Sequence, residues 1–364
     1  MPKIYSVGTF SPPYRIEQET AVEFAKEIFE DSYEDIERML QVFANGQIKK
    51  RHISAPLDWF KKERSLEEKN RLYIEKAVEY GSQAIQLCLE NPYFLREQIP
   101  YNEIDAIIFI SSTGIATPSI EARIMNHLPF SVHLKRIPIW GLGCAGGAAG
   151  LSRAYEYCLA FPKAKVLIVC VELCSLTFQL QDKSKSNLVG TSLFADGAAA
   201  ALICGDQSDV SSLSYNKSVP RIQASQSTLL PNSEDVMGWD VKDEGLFVVF
   251  SRSIPQIVKK WLGHNVIEFL EQEGTTLGEI ELLIAHPGGR KVLEAYREAL
   301  QLPEEMTYPS ITILKEFGNM SSVTVLFVLE KIMKMEISPG TKGLITALGP
   351  GFSSELLLAE WQTP

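Results

Sequence analysis

Long apolar runs are missing from this chain. No stretch approaches the roughly 18 to 20 residues that a helix needs to cross a bilayer, so stable membrane insertion is not expected. A secretory leader is not expected either. Met1 to Phe10 has no basic region followed by a long apolar one, and Pro12 and Pro13 come soon after; the default address is the cytoplasm. Positive charge is in deficit, with a net charge of -10. That disfavours a global attraction to nucleic acid. The six cysteines, Cys88, Cys144, Cys158, Cys170, Cys174 and Cys204, form no C-x-x-C pair, and the five histidines do not cluster with them. Neither a metal site nor a disulfide framework is expected. Most of these cysteines sit in apolar stretches and read as small buried hydrophobes. Disorder is excluded as well, because 45% of the residues are hydrophobic and only 22% are charged.

What is present is an internal repeat. A length of 364 residues suggests two domains or two similar halves. The segment Glu103 to Ile110 reads as a buried strand, and Glu279 to Ala285 repeats it about 176 residues later. Each follows an amphipathic helical stretch, Tyr73 to Leu89 in one half and Ile254 to Glu271 in the other. Ile137-Pro138-Ile139 leads into Gly143-Cys144 and a helix; Ile311-Thr312-Ile313 leads into Gly318-Asn319 and a helix. Two further strands close each half, Lys165 to Val171 with Ala198 to Cys204, and Gly343 to Ala347 with Glu355 to Ala359. So long a period does not suit a solenoid. It suits a duplicated α/β unit, with chance likeness between two ordinary strand–helix stretches as the alternative. The halves differ by an insertion, Glu172 to Gly197, a candidate lid or subunit contact. A Ser-, Asp- and Asn-rich join runs from Gly205 to Val219.

The reactive residue types fall at matching points of this repeat. Cys144 lies in Gly143-Cys144-Ala145-Gly146-Gly147, where a strand turns into a helix. Unpaired N–H groups and the helix dipole there favour a thiolate. A buried structural cysteine in a Gly-rich turn is the competing reading. His286, in Ala285-His286-Pro287-Gly288-Gly289, ends a buried strand, where α/β proteins often place ligand and catalytic groups; a turn cap is its alternative. Asn319, in Gly318-Asn319-Met320-Ser321-Ser322, matches Cys144 in the other half. By itself it reads as a helix N-cap. If the halves pair about a pseudo-twofold axis, the three converge. A Cys–His pair can then generate a nucleophile, and Asn and imidazole N–H groups can bind an oxyanion. No carboxylate is evidently placed to orient the histidine, which favours acyl transfer over hydrolysis.

At these residues the sequence resembles the type III polyketide synthases, the chalcone synthase-like branch of the thiolase superfamily. Gly349-Pro350-Gly351 adds a fourth motif, and the resemblance runs from Ile4 to Phe352. It implies an α/β fold, a five-layered αβαβα protomer with duplicated halves. Residues 1–206 would carry the nucleophile, and residues 216–364 the His and Asn. It also implies a homodimer. Cys144 would take an acyl group from acyl-CoA, and His286 and Asn319 would bind the malonyl-CoA thioester carbonyl during decarboxylation. The resulting enolate would attack the acyl-Cys144 thioester, and iteration and cyclisation would follow. No metal or redox cofactor is required by that chemistry. Phe194, in Gly190-Thr191-Ser192-Leu193-Phe194, matches the family's gatekeeping phenylalanine.

Departures from the plant pattern set further expectations. The second gate phenylalanine aligns with Val248, and the cavity positions appear as Thr113, Cys174, Thr177, Ser321 and Leu348. Of the basic CoA contacts Arg38 is kept, with Lys49, Lys50 and Arg51 as candidate replacements; a solvated basic face is their alternative. The sequence looks closer to bacterial members that load long-chain fatty acyl-CoA and release alkylpyrones or alkylresorcinols. Its rivals are an initiating ketoacyl-(acyl carrier protein) synthase, a non-catalytic acyl-CoA-binding protein on the same fold, and a thioester hydrolase.

Overall fold

The computed structural model describes all 364 residues. Thirteen strands form: β1 Lys3–Phe10, β2 Tyr14–Glu17, β3 Lys50–Ile53, β4 Ala106–Ile110, β5 Lys135–Ile139, β6 Lys165–Leu173, β7 Asp196–Cys204, β8 Val219–Leu229, β9 Met237–Lys242, β10 Gly245–Phe250, β11 Ile280–Ala285, β12 Lys342–Gly349 and β13 Ser353–Gln362. Nine of them follow the order β11-β12-β13-β8-β1-β7-β6-β4-β5. The two halves meet at one paired position, Lys3 opposite Arg221.

The duplication is visible in strand directions. In the first half β4 runs parallel to β6, then β7 and β1 follow antiparallel. In the second half β11 runs parallel to β12, then β13 and β8 follow antiparallel. Every residue of β6 and β7 is buried, which explains their continuous apolar runs: strands covered on both faces have no polar side to show. Helix Leu66–Leu89 covers one face of the first half, and the 254–272 helical stretch with helix Arg290–Leu300 covers the outer side of the second. Between the halves lie helices Gly146–Ala160 and Thr324–Met333, each packed on strands of both. The result is the five-layered thiolase-like αβαβα arrangement with duplicated halves.

The two central helices approach closely because of glycine. A Cβ on Gly147 would stand 2.2 Å from the Ser322 carbonyl oxygen, so no larger residue fits without moving one helix. This contact brings both helix N-termini, and the residues before them, to one centre.

Three expectations need correction. Ile311-Thr312-Ile313 is no strand but part of helix Tyr308–Phe317. Pro309 sits in that helix's first turn, where its missing N–H costs nothing, and burial of Ile311 and Leu314 at helical spacing outweighs the β-branched run. Its counterpart β5 is a strand, paired only with β4. Second, the helix expected from Tyr73 begins at Leu66, where Ser65 and Glu68 form a reciprocal capping box. Third, helix 254–272 contains a π-turn at Val258–Leu262.

The insertion after β6 becomes a short 3-10 turn, Cys174–Thr177, and helix Lys185–Leu193. Asp196 pins its two ends. Its carboxylate accepts the Ser175 and Ser54 N–H groups at 2.7 and 2.8 Å and both serine hydroxyls at 2.6 Å. Strands β9 and β10 form a separate hairpin that the sequence reading did not foresee.

Candidate active site

Cys144 lies in a 3-10 turn, Gly143–Ala145, immediately before helix Gly146–Ala160. It is 9% exposed. Burial pushes its thiol up to about 12, while the Ser321 hydroxyl and the Asn319 amide pull in the opposite direction. The Glu172 carboxylate adds to the rise. That side chain is fully buried and is the acceptor of three bonds, from the Ser112 N–H, the Thr113 hydroxyl and the Ser322 hydroxyl. The sequence reading did not single out Glu172. Its position inside an apolar strand pattern was the available signal.

His286 follows directly on β11, and its backbone N–H donates to the Thr346 carbonyl of β12 at 2.8 Å. The side chain is buried, and neither ring nitrogen bonds to a protein group. Burial drives the imidazole down to about 3, so the ring is neutral at physiological pH and presents one donor and one acceptor. Asn319 is fixed at both ends. Its Oδ1 accepts the Ser321 N–H at 2.8 Å, and its Nδ2 donates to the Gly288 carbonyl at 3.1 Å. An amide nitrogen carries two hydrogens, so one donor remains. The Asn319 backbone also bonds to Leu193 and Ala195, which ties it to the residues flanking Phe194.

Cys144, His286, Asn319, Leu348 and Arg38 line one cleft of about 580 Å³, within the usual range for a small-molecule site. Cys174, Thr177, Phe194 and Val248 line a second, narrower and mostly apolar crevice with Ile53, Phe60 and Phe178. Thr113 lies on a neighbouring wall. Phe194 sits between Trp239 and Phe250 of the β9–β10 hairpin, with ring centroids 5.8 and 5.6 Å away. A Cβ on Gly190 would stand 3.4 Å from both Phe194 and Val248. Trp239 and Phe250 were not foreseen, because hairpin packing against Phe194 leaves no mark in local spacing.

The basic candidates divide. Arg38 stands at the cleft. Arg51 is turned inward: it is 3% exposed and donates to the Thr191 and Ser192 carbonyls and to Gln18. It is a buried tie between β3 and the insertion, not a phosphate contact. Lys50 pairs with Glu316 at 2.7 Å, and neither Lys49 nor Lys50 lines the cleft. The cleft is instead bordered by Lys185, Arg252, Arg290 and Lys291, which come from three separate segments.

Comparison with known proteins agrees with this architecture. The chalcone and stilbene synthase N-terminal domain matches residues 2–207, and the C-terminal domain of the same family matches residues 221–360. A Bacillus subtilis (strain 168) protein named for chalcone synthase is 52% identical over 99% of this chain and 98% of its own length. A polyketide synthase-like protein of Mycobacterium tuberculosis (strain ATCC 25618 / H37Rv), named for alpha-pyrone synthesis, is 30% identical over 98% of this chain and 90% of its own. The crystal structure of 1,3,6,8-tetrahydroxynaphthalene synthase from Streptomyces coelicolor A3(2) superposes with a TM-score of 0.91, at 28% identity, over all of both chains. The chain belongs to the chalcone and stilbene synthase family, the type III polyketide synthases, and is an acyltransferase that condenses CoA thioesters into polyketide products.

Proposed function

We propose that Cys144 carries a long-chain fatty acyl starter, that His286 and Asn319 run decarboxylative extension from malonyl-CoA, and that the product is an alkylpyrone or alkylresorcinol. The observation that carries this reading is the convergence of Cys144, His286 and Asn319 on one cleft, beside an apolar crevice behind Phe194 and Val248.

The chemistry follows from the residues. Burial keeps Cys144 as a thiol and His286 as a neutral imidazole. As sulfur attacks the acyl-CoA carbonyl, its proton passes to His286, which returns it to the departing CoA sulfur. Malonyl-CoA then binds with its thioester carbonyl between the His286 N–H and the spare Asn319 N–H. Loss of carbon dioxide places negative charge on that oxygen, where two aimed donors stabilise it. The enolate carbon attacks the acyl-Cys144 thioester and frees the sulfur. The apolar lining of the crevice suits an alkyl tail. A relative named for alpha-pyrone synthesis supports the product class.

Arg38, Lys185, Arg252 and Lys291 form no ion pair within the chain, unlike Arg290, which pairs with Glu294 at 2.9 Å. On a protein of net charge -10 these four make a local positive rim, and we assign them to the CoA phosphates. The homodimer is supported by β5. It is an unpartnered edge strand with Trp140 and Ile115 half-exposed nearby, and such edges are normally covered.

The test is mass spectrometry of products from malonyl-CoA and starters from acetyl- to stearoyl-CoA. Wild type is expected to yield starters extended by two-carbon ketide units, with the acyl group on Cys144 in the intact protein. Cys144→Ala abolishes both, and Asn319→Ala lowers decarboxylation about 10²- to 10³-fold. Free acids and CoA alone, without new C–C bonds, would overturn the reading.

A further inference from the structure

The hairpin β9–β10 supplies one wall of the gate, yet its strands pair only with each other. Side chains hold its tip to the body. Lys69 donates to the Glu244 carbonyl at 3.3 Å and to Gln179 Oε1 at 2.5 Å. Gln179 Nε2 in turn donates to the Leu246 carbonyl at 3.1 Å. The Gln179 carbonyl accepts Asn187 Nδ2 at 2.7 Å. Asn187 lies in the first turn of helix Lys185–Leu193, which ends at Phe194. One network therefore reaches both gate walls: the hairpin with Val248, and the helix that delivers Phe194.

The network is built at some cost. Lys69 and Gln179 are 7% and 5% exposed, and the Lys69 ammonium has no carboxylate within ion-pair distance. Desolvation pulls it down to about 8. A buried charge with only neutral acceptors is an expensive fastener, and apolar residues would suffice if packing were its only task. The backbone is shaped to the same contact. Gly245 has φ +144°, and a Cβ there would stand 2.5 Å from Gln179 Nε2.

We propose that Lys69, Gln179 and Asn187 are positioning residues that fix the opening between Phe194 and Val248, and so select the chain length of the starter acyl group. The chain-length part rests on the starter reading above. None of the three lines the Cys144 cleft, and only Asn187 reaches the crevice behind Phe194. The hairpin ends Met237 and Phe250 do line that cleft, so loosening the hairpin tip changes starter choice first and malonyl-CoA decarboxylation to a smaller extent.

The full-length Lys69→Met and Gln179→Leu variants test this, with Gly245→Ala loosening the same contact from the hairpin side should either fail to fold. Hydrogen exchange of the Met237–Phe250 amides is expected to quicken about tenfold or more. The starter profile from butyryl- to stearoyl-CoA broadens, and KM for the preferred starter rises about fivefold or more, a larger change than the fall in malonyl-CoA decarboxylation. The double variant adds little to the stronger single one, because both break one network. Unchanged hairpin protection overturns the clamp. An unchanged starter profile beside a loosened hairpin overturns the selection. A wild type that forms no C–C bond with any starter overturns the starter reading and chain-length selection with it, while hairpin exchange still decides the clamp.

Discussion

At the scale of single residues, the site is a set of neutral groups held ready for charge. Ser321 is an instructive case. Its φ of +48° is uncommon for a residue with a side chain, and its hydroxyl lowers the Cys144 thiol against the rise caused by burial. Ser321→Gly keeps the backbone at ease and removes the hydroxyl together with its Cβ. Iodoacetamide alkylation of Cys144 at pH 8 is expected to slow about threefold to tenfold, in line with a loss of thiolate; an unchanged rate would show that the hydroxyl does nothing for the sulfur. His286 gives a pH signature. Its imidazole stands at about 3 in the folded chain against an ordinary 6.5. The unfolded chain thus binds the extra proton first, and stability is lost as pH falls from about 6.5 toward about 3. Glu172 works the other way: raised from 4.5 to about 7, it favours the folded state below about 4.5 and loses that contribution as pH rises to about 7. His286→Asn is expected to remove the acid-side loss, so on going from pH 7.5 to pH 5 its urea midpoint moves upward relative to that of wild type, with the Glu172 contribution common to both. An equal change in the two proteins would count against a buried neutral imidazole.

At the scale of elements, the central helix pair sets the site. Gly147→Ala forces a Cβ to within 2.2 Å of the Ser322 carbonyl and pushes apart the helices that follow Cys144 and Asn319. Overpacking of this kind costs about 1–3 kcal/mol. Thermal unfolding should show a lower midpoint, and condensation should fall more steeply than stability because the site's geometry changes with the helix spacing. A variant with wild-type activity would mean that the helices slide without disturbing the centre. This approach was legible in the run Ala145 to Gly150, since small residues at a helix start signal a close neighbour. The hairpin was not foreseen, although Met237, Trp239 and Val241 alternate with non-apolar residues ahead of the turn Asp243-Glu244-Gly245. Its role is what spacing does not carry, because that comes from contacts with Phe194 and Lys69, which lie far away in the chain.

At the scale of the whole molecule, the nine-stranded sheet has two edge strands, β11 and β5, and β5 is the one that leads into the half-exposed Trp140. Lys135, Arg136 and Pro138 are exposed there, and Trp140 is 51% exposed. For the proposed homodimer, Trp140→Arg should shift the mass measured by light scattering from twice 40.6 kDa toward the protomer, and a dimer of unchanged stability would place the interface elsewhere. The edge also shows where the repeat stops. β5 has no counterpart strand in the second half, because the matching segment is helical.

The sequence by itself determined the duplicated strand order, the buried strands β4, β6, β7, β11, β12 and β13, and the three reactive residues at matching points of the repeat. These are local: apolar period, glycine turns and motif spacing record them directly. The tertiary structure alone decided the fate of Arg51, whose motif looked like a basic surface but whose guanidinium finds three acceptors inside. It also decided the helix at Tyr308–Phe317, the basic rim of Arg38, Lys185, Arg252 and Lys291, and the buried network of Lys69. In each of these the outcome depends on which distant groups supply a partner or take away water. Charge and side-chain size are written in the chain, but desolvation and hydrogen-bond satisfaction exist only after it has folded.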